Sequence, residues 1–275
     1  MTVIDNQLVA LDGTRYDAAL QPIEVPGAAL VAEERDRAAD LSAELRRRVM
    51  QHEANRPRSQ QTKLGPSEVG TPCLRQLAYK AVQHPRVNSS AGDRWPSFVG
   101  TAVHAALDEV FSGTPDEYLT EQRVVVDADL DLAGSTDLVK LRGGVTAIDH
   151  KVVAATTMTK VKRHGPPAHY VTQVNAYAHG LIATGVPVEW VAIAYWPAGG
   201  RLSDGPHVWL QRYDQTVVDV ALAKLDTVRK LHARLGPALF AHLPTAEHYC
   251  TGCPFYSPHA VDPATSCAGH QETTP

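Results

Sequence analysis

A chain of 275 residues, 44% of them apolar, can form one large packed domain or a domain with an accessory piece. Its net charge of −4 excludes a globally basic nucleic-acid coat, so any nucleic-acid contact must come from local patches. No apolar run approaches the length of a membrane span, and MTVIDNQLVALDG lacks the basic-then-apolar pattern of a secretion signal. A cytoplasmic protein with no membrane partner is expected.

In chain order, residues 1–30 alternate turn residues with short apolar runs and read as irregular. Residues 31–54 read as a charged helix, followed by the polar linker ANRPRSQQTKLGPS, where Ser67 is a helix-cap candidate. These features predict an accessory segment over 1–65 and a main domain over 66–275. Helices are predicted near 68–82 and 96–112. In the second, Val99, Val103, Leu107 and Val110 recur at helical spacing, with His104 beside the apolar stripe. Taken by itself, such a histidine reads as a packed core residue.

Three strands follow, near 119–127, 131–141 and 145–153; Glu121 lies on the first. A helix over 168–184 has an apolar face of Val171, Val174, Ala178 and Leu181, with Gln173 and Tyr177 four apart on an adjacent face. Strands at 189–196 and 206–213 and a helix over 214–235 lead into a cysteine-bearing tail. The alternation predicts an α/β fold, a mixed sheet flanked by helices. Basic residues gather at Arg46, Arg47, Arg48, Arg56, Arg58 and Lys63, and again at Lys160, Lys162, Arg163 and His164. The second group reads as a loop after the third strand, well placed to hold phosphates.

The chemistry concentrates in GSTDLVKL and AIDHKVV, joined by the hairpin signal Arg142-Gly143-Gly144. Asp149 and Lys151 share one strand face because residues two apart point the same way. With Asp137 on the neighbouring strand they would bring two carboxylates and an ammonium together. Two carboxylates suit Mg²⁺ with water and phosphate, and the ammonium can neutralise charge on that phosphate. A strand pair with surface charges would read the same way.

Cys250 and Cys253 form a CxxC pair, with Cys267 nearby and Cys73 far upstream. A CxxC pair presents both sulfurs to one ion or cluster. Four thiolates suit a [4Fe–4S] cluster or a structural zinc, and His248, His259 and His270 keep a Cys/His zinc site open. A zinc knuckle with Cys73 as an unrelated buried thiol is the plainer alternative.

The order Cys, GxxxH, D, DxK, QxxxY, CxxC and Cys resembles the RecB-like iron–sulfur nucleases of the PD-(D/E)xK class, such as AddB-type and CRISPR-associated adaptation exonucleases. Two features depart from that pattern: Thr136 stands where proline precedes the first acid, and the gap from Cys253 to Cys267 is longer. The resemblance implies a PD-(D/E)xK core whose N- and C-terminal segments are joined by a [4Fe–4S] cluster on Cys73, Cys250, Cys253 and Cys267. It implies Mg²⁺ or Mn²⁺ on His104, Asp137, Asp149 and the His150 backbone carbonyl. Lys151 would be catalytic with Asp149, Asp137 and, secondarily, Glu121. Gln173 and Tyr177 would contact DNA, as the basic group Lys160, Lys162 and Arg163 is expected to. The activity implied is a metal-dependent exonuclease on single-stranded or end-containing DNA, serving recombination or repair, with a helicase or recombination partner possible. The alternatives are a nuclease subunit active only within a helicase or integration complex, and an endonuclease with structural zinc.

Overall fold

The computed structural model describes residues 2–4, 7–9, 15–16, 32–56, 63–88, 93–201, 203, 205–246 and 250–270. Arg58 and His248 lie outside these. The chain divides into two compact units, Met1–Asn55 and Arg56–Pro275. Where irregular structure is expected, the first unit has three short antiparallel strands: β1 (Thr2–Ile4), β2 (Gln7–Val9) and β3 (Arg15–Tyr16). The charged helix is α1 (Ala32–Asn55).

In the second unit the helix predicted over 68–82 is two helices, α2 (Pro66–Val69) and α3 (Leu74–Ala81). Pro72 lacks an N–H and restrains the residue before it, so the helix cannot run through. The cap is Gly65 rather than Ser67: Gly65 N–H donates to Glu68 Oε2 at 3.1 Å, while Glu68 N–H returns to the Gly65 carbonyl at 2.9 Å. Gly70 permits the close approach that follows, since a Cβ there would lie 2.8 Å from His169 Cα. Helix α4 (Trp95–Ser112) then leads into the sheet.

The sheet runs in order β4 (Tyr118–Asp127), β5 (Leu132–Lys140), β6 (Thr146–Val153), β7 (Trp190–Pro197) and β8 (His207–Arg212). Only β6 and β7 pair in parallel. A parallel pair needs a crossover, and here it is α5 (Ala155–His164) followed by α6 (Ala168–Ala183). The expected basic loop is therefore the helix α5. Strand β7 reads as a continuous apolar run because both its faces are covered, whereas the edge strand β8 alternates, with Val208, Leu210 and Arg212 exposed.

The core lies between the sheet and α6, where Val174, Ala178 and Leu181 meet Val124, Val139 and Val191. Gly180 has no room for a side chain, since a Cβ would stand 2.9 Å from Val124 Cβ. On its other side α6 is covered by α2 and by α7 (Gln215–Leu235), so its middle is buried nearly all round.

A second cluster joins α3 to the C-terminal segment. Tyr79 packs against Phe240, Phe255 and His84 with ring centroids 4.4, 4.9 and 4.8 Å away. Phe240 belongs to the short helix α8 (Leu239–His242). The Tyr79 hydroxyl donates to the Pro263 carbonyl, Arg75 Nη2 to the Leu243 carbonyl at 3.0 Å, and Val87 N–H to the Pro254 carbonyl at 2.9 Å. Aromatic packing and backbone hydrogen bonds thus join these segments, and no iron–sulfur cluster joining them is indicated. Among the described residues no group of three or more His, Cys, Asp or Glu side chains is arranged to hold a metal ion. No described helix is long and apolar enough to cross a membrane.

Candidate active site

Strand register brings the acids together. Val139 pairs with Ala147 and Leu138 with Ile148, so one step further sets Asp137 beside Asp149. There the backbone ladder gives way to a side chain: Asp137 Oδ2 accepts the His150 N–H at 2.6 Å. Across β4 and β5, Thr120 pairs with Leu138 and Gln122 with Thr136, which sets Glu121 level with Asp137. Glu121 has a backbone φ of +47°, an unusual conformation for a residue with a side chain, and one that tends to occur at functional sites.

Asp149 is buried, and its charge is answered by Lys151, whose Nζ stands 2.8 Å from Oδ2. Gln173 from α6 clamps this pair. Its Nε2 donates to Asp149 Oδ1 at 2.8 Å and to the Tyr177 hydroxyl at 3.0 Å, and its Oε1 accepts from Lys151 Nζ at 3.1 Å. The ammonium also sits 4.6 Å from the Tyr170 ring centroid. Burial, with Asp137 close by, raises the Asp149 pKa against the pull of Lys151. Burial opposes the charge of Lys151, but Asp149 outweighs it and holds the ammonium protonated.

His104, on α4, has Nδ1 3.5 Å from Asp137 Oδ1. Burial disfavours its charge, yet the hydrogen bond and charge of Asp137 prevail and its pKa is raised. Asp137 is lowered in turn: burial acts against its charge, but His104, the His150 N–H and Lys151 outweigh it. His150 behaves oppositely. Burial brings it down to about 4, so it is neutral near pH 7 and its Nδ1 accepts from Trp196 Nε1 at 3.2 Å.

Asp137, Asp149, Lys151, His104, Glu121, Gln173 and Tyr177 all line one open cavity of about 970 Å³. Lys160, Lys162 and Arg163 do not line it; they are exposed on α5. Four basic residues that the sequence reading does not assign to the site, Lys63, Lys80, Arg86 and Arg123, do line it. For Arg123 a signal was present: it lies two residues from Glu121 and so on the same strand face.

The four cysteines line a separate small cavity, Cys73 and Cys267 buried and the other two partly exposed. All four are free thiols. The Cys253 sulfur is 3.6 Å from Gln76 Nε2, that of Cys250 is 3.3 Å from the His270 N–H, and that of Cys267 is 3.4 Å from the Gly269 N–H.

The sequence matches the PD-(D/E)XK nuclease superfamily over residues 10–257, and the chain belongs to that superfamily. Among solved structures it is similar to an alkaline exonuclease (LHK-Exo) from Laribacter hongkongensis, at 16% identity and a TM-score of 0.43, with 64% of this chain covering 95% of that one. The same exonuclease in complex with dAMP aligns at 17% identity, a TM-score of 0.43 and the same coverage, 64% and 95%. SSO0001 aligns at 14% identity and a TM-score of 0.40, with 68% of this chain covering 85% of that one. No curated protein matches the chain.

The membership holds at superfamily level, and the finer resemblance to iron–sulfur nucleases is corrected. Neither the cysteines, expected to hold [4Fe–4S] or zinc, nor His104, Asp137 and Asp149, expected with the His150 carbonyl to hold Mg²⁺ or Mn²⁺, form a three-ligand metal site among the described residues. In the contacts present, the carboxylates meet Lys151, His104, Gln173 and a backbone N–H, and the sulfurs of Cys250, Cys253 and Cys267 accept from N–H donors.

Proposed function

We propose that the chain is a DNA exonuclease that hydrolyses phosphodiester bonds on single-stranded or end-containing DNA. The observation that carries the reading is the convergence of Asp137, Asp149, Lys151 and Gln173 on the floor of one cavity. Lys151 is the residue to face charge building up on the scissile phosphate, and Gln173 holds it against Asp149 in the required place. Glu121 and His104, at the rim, orient water or the strand around Asp137.

Divalent-cation dependence is proposed in the form the two carboxylates permit. Mg²⁺ commonly binds one or two carboxylates together with substrate phosphates, so Asp137 and Asp149 would hold it together with a DNA phosphate. Asp149 Oδ2 supports this: it is buried and faces only the ion-pair contact with Lys151 Nζ at 2.8 Å, without an aligned hydrogen bond. Such an ion would lower the pKa of a bound water and offset phosphate charge. An enzyme of this kind would serve end trimming in recombination or repair.

The test is digestion of linear single-stranded DNA labelled separately at each end, with Mg²⁺, Mn²⁺ or EDTA. Closed circular DNA and Asp149→Asn serve as controls. End-dependent loss of label by wild type alone, abolished by EDTA, is expected. Equal cleavage of the closed circle would overturn the exonuclease reading, and activity in Asp149→Asn would overturn the site.

A further inference from the structure

The cavity extends well beyond the acids. Its floor continues along β4 and β5 to Arg123 and Ser135, which pair directly across the two strands. Ser135 lies two residues from Asp137, and Arg123 two from Glu121, so all four share one sheet face. A two-residue step along a strand is about 6–7 Å, comparable with one nucleotide repeat of an extended single strand. Arg123 is exposed and makes no ion pair among the described residues, whereas Lys63 pairs with Asp131 and Lys80 with Glu68 on the same walls. The walls are built by Pro66–Glu68, His84–Arg86 and Pro254–Phe255.

Resting on the nuclease reading, we propose that Arg123 and Ser135 form a phosphate subsite that holds the phosphodiester adjoining the one cleaved. Arg123 supplies a forked pair of N–H donors matched to phosphate oxygens, and Ser135 a hydroxyl beside it. From there the strand runs between the walls toward Lys80 and Arg86. Asp149 is buried at the floor, so the reacting backbone must enter the canyon. A backbone freed from its complement reaches that floor more readily than a paired one. The subsite therefore selects single-stranded DNA.

The test uses the full chain. In an Asp149→Asn background, Arg123→Gln is expected to weaken binding of a fluorescent single-stranded oligothymidylate about tenfold and to make its salt dependence shallower. Arg123→Lys should restore part of the affinity, and Ser135→Ala should show a smaller loss. With Asp149 intact, Arg123→Gln should raise KM for the oligonucleotide far more than for thymidine 5′-(p-nitrophenyl phosphate), which offers one phosphodiester only. Unchanged oligonucleotide binding, equal losses on both substrates, or duplex bound as tightly as single strand would each overturn the proposal. If wild type cleaves neither substrate, the nuclease reading falls. Binding in the Asp149→Asn background still decides the subsite in that case.

Discussion

The floor of the cavity and the C-terminal clasp around Tyr79 were both marked in the sequence by short motifs, yet they are held by opposite physics. The floor is a buried polar network in which Asp149, Lys151, Gln173 and Tyr177 satisfy one another. Its members are coupled, and removing one strands the charge of another. The clasp is aromatic packing sealed by hydrogen bonds to backbone carbonyls, with Cys267 at its edge as a small buried hydrophobe. On the proposed reading the first region serves chemistry at a cost in stability, while the second packs the C-terminal segment onto α3.

The largest effect expected is on the floor. Asp149→Asn should lower cleavage by roughly a thousandfold or more; the amide keeps the side chain's shape, so the native fold is retained at lower stability, with Lys151 left without its counter-charge. Lys151→Ala should abolish cleavage and also destabilise the protein by about 3–5 kcal/mol, because Asp149 is left buried without its counter-charge. Denaturant titration beside an activity assay separates the two. A Lys151→Ala protein with full activity would remove the distinction between the regions.

The clasp should give the converse result. Phe240→Ala is expected to cost about 3–5 kcal/mol with cleavage per folded molecule unchanged below its lowered Tm. A loss of turnover at full folding would mean that the clasp shapes the site.

A pH profile sharpens the contrast within the floor itself. His104 has a raised pKa, so the stability from its pair with Asp137 is complete below the ordinary histidine value of 6.5 and is lost as pH rises through the raised one. Loss of that proton frees Asp137 and the imidazole, so cleavage should rise where this stability falls. His104→Gln should flatten both curves in that window; a wild-type rate that falls there would reverse the assigned role.

The smallest effect is expected at the clasp's edge. Cys267→Ala should cost about 1 kcal/mol, the value of a small buried group. A loss several times larger, or a Tm lowered by a chelator, would show that more than packing joins the four thiols.

The strand pair with Asp137, Asp149 and Lys151 was legible because period-two alternation and a two-glycine turn fix which side chains share a face. Gln173 was marked only by the QxxxY pattern of the resemblance, and its grip on Lys151 and Asp149 was not legible, since it depends on how the crossover seats α6. The break at Gly70–Cys73 was missed because the helical pattern on either side outweighed Pro72. The cysteines misled for a related reason. Their spacing gave the sulfurs' neighbourhood, but spacing holds no information about whether donors such as Gln76 and the His270 N–H already engage them. Arg123 was overlooked because the local charge runs lie elsewhere, on α1 and α5.

The lone parallel pairing of β6 with β7 has a consequence for the order in which the enzyme is made. Strands β4, β5 and β6 form a meander closed by short turns, and such local pairings form early. Asp137 and the His150 amide, 13 residues apart, meet within it. Gln173, 24 residues from Asp149, arrives only when the long crossover closes and β7 docks. The acids thus meet over a shorter loop than the clamp, whose loop closes only through the crossover, at a larger cost in chain entropy.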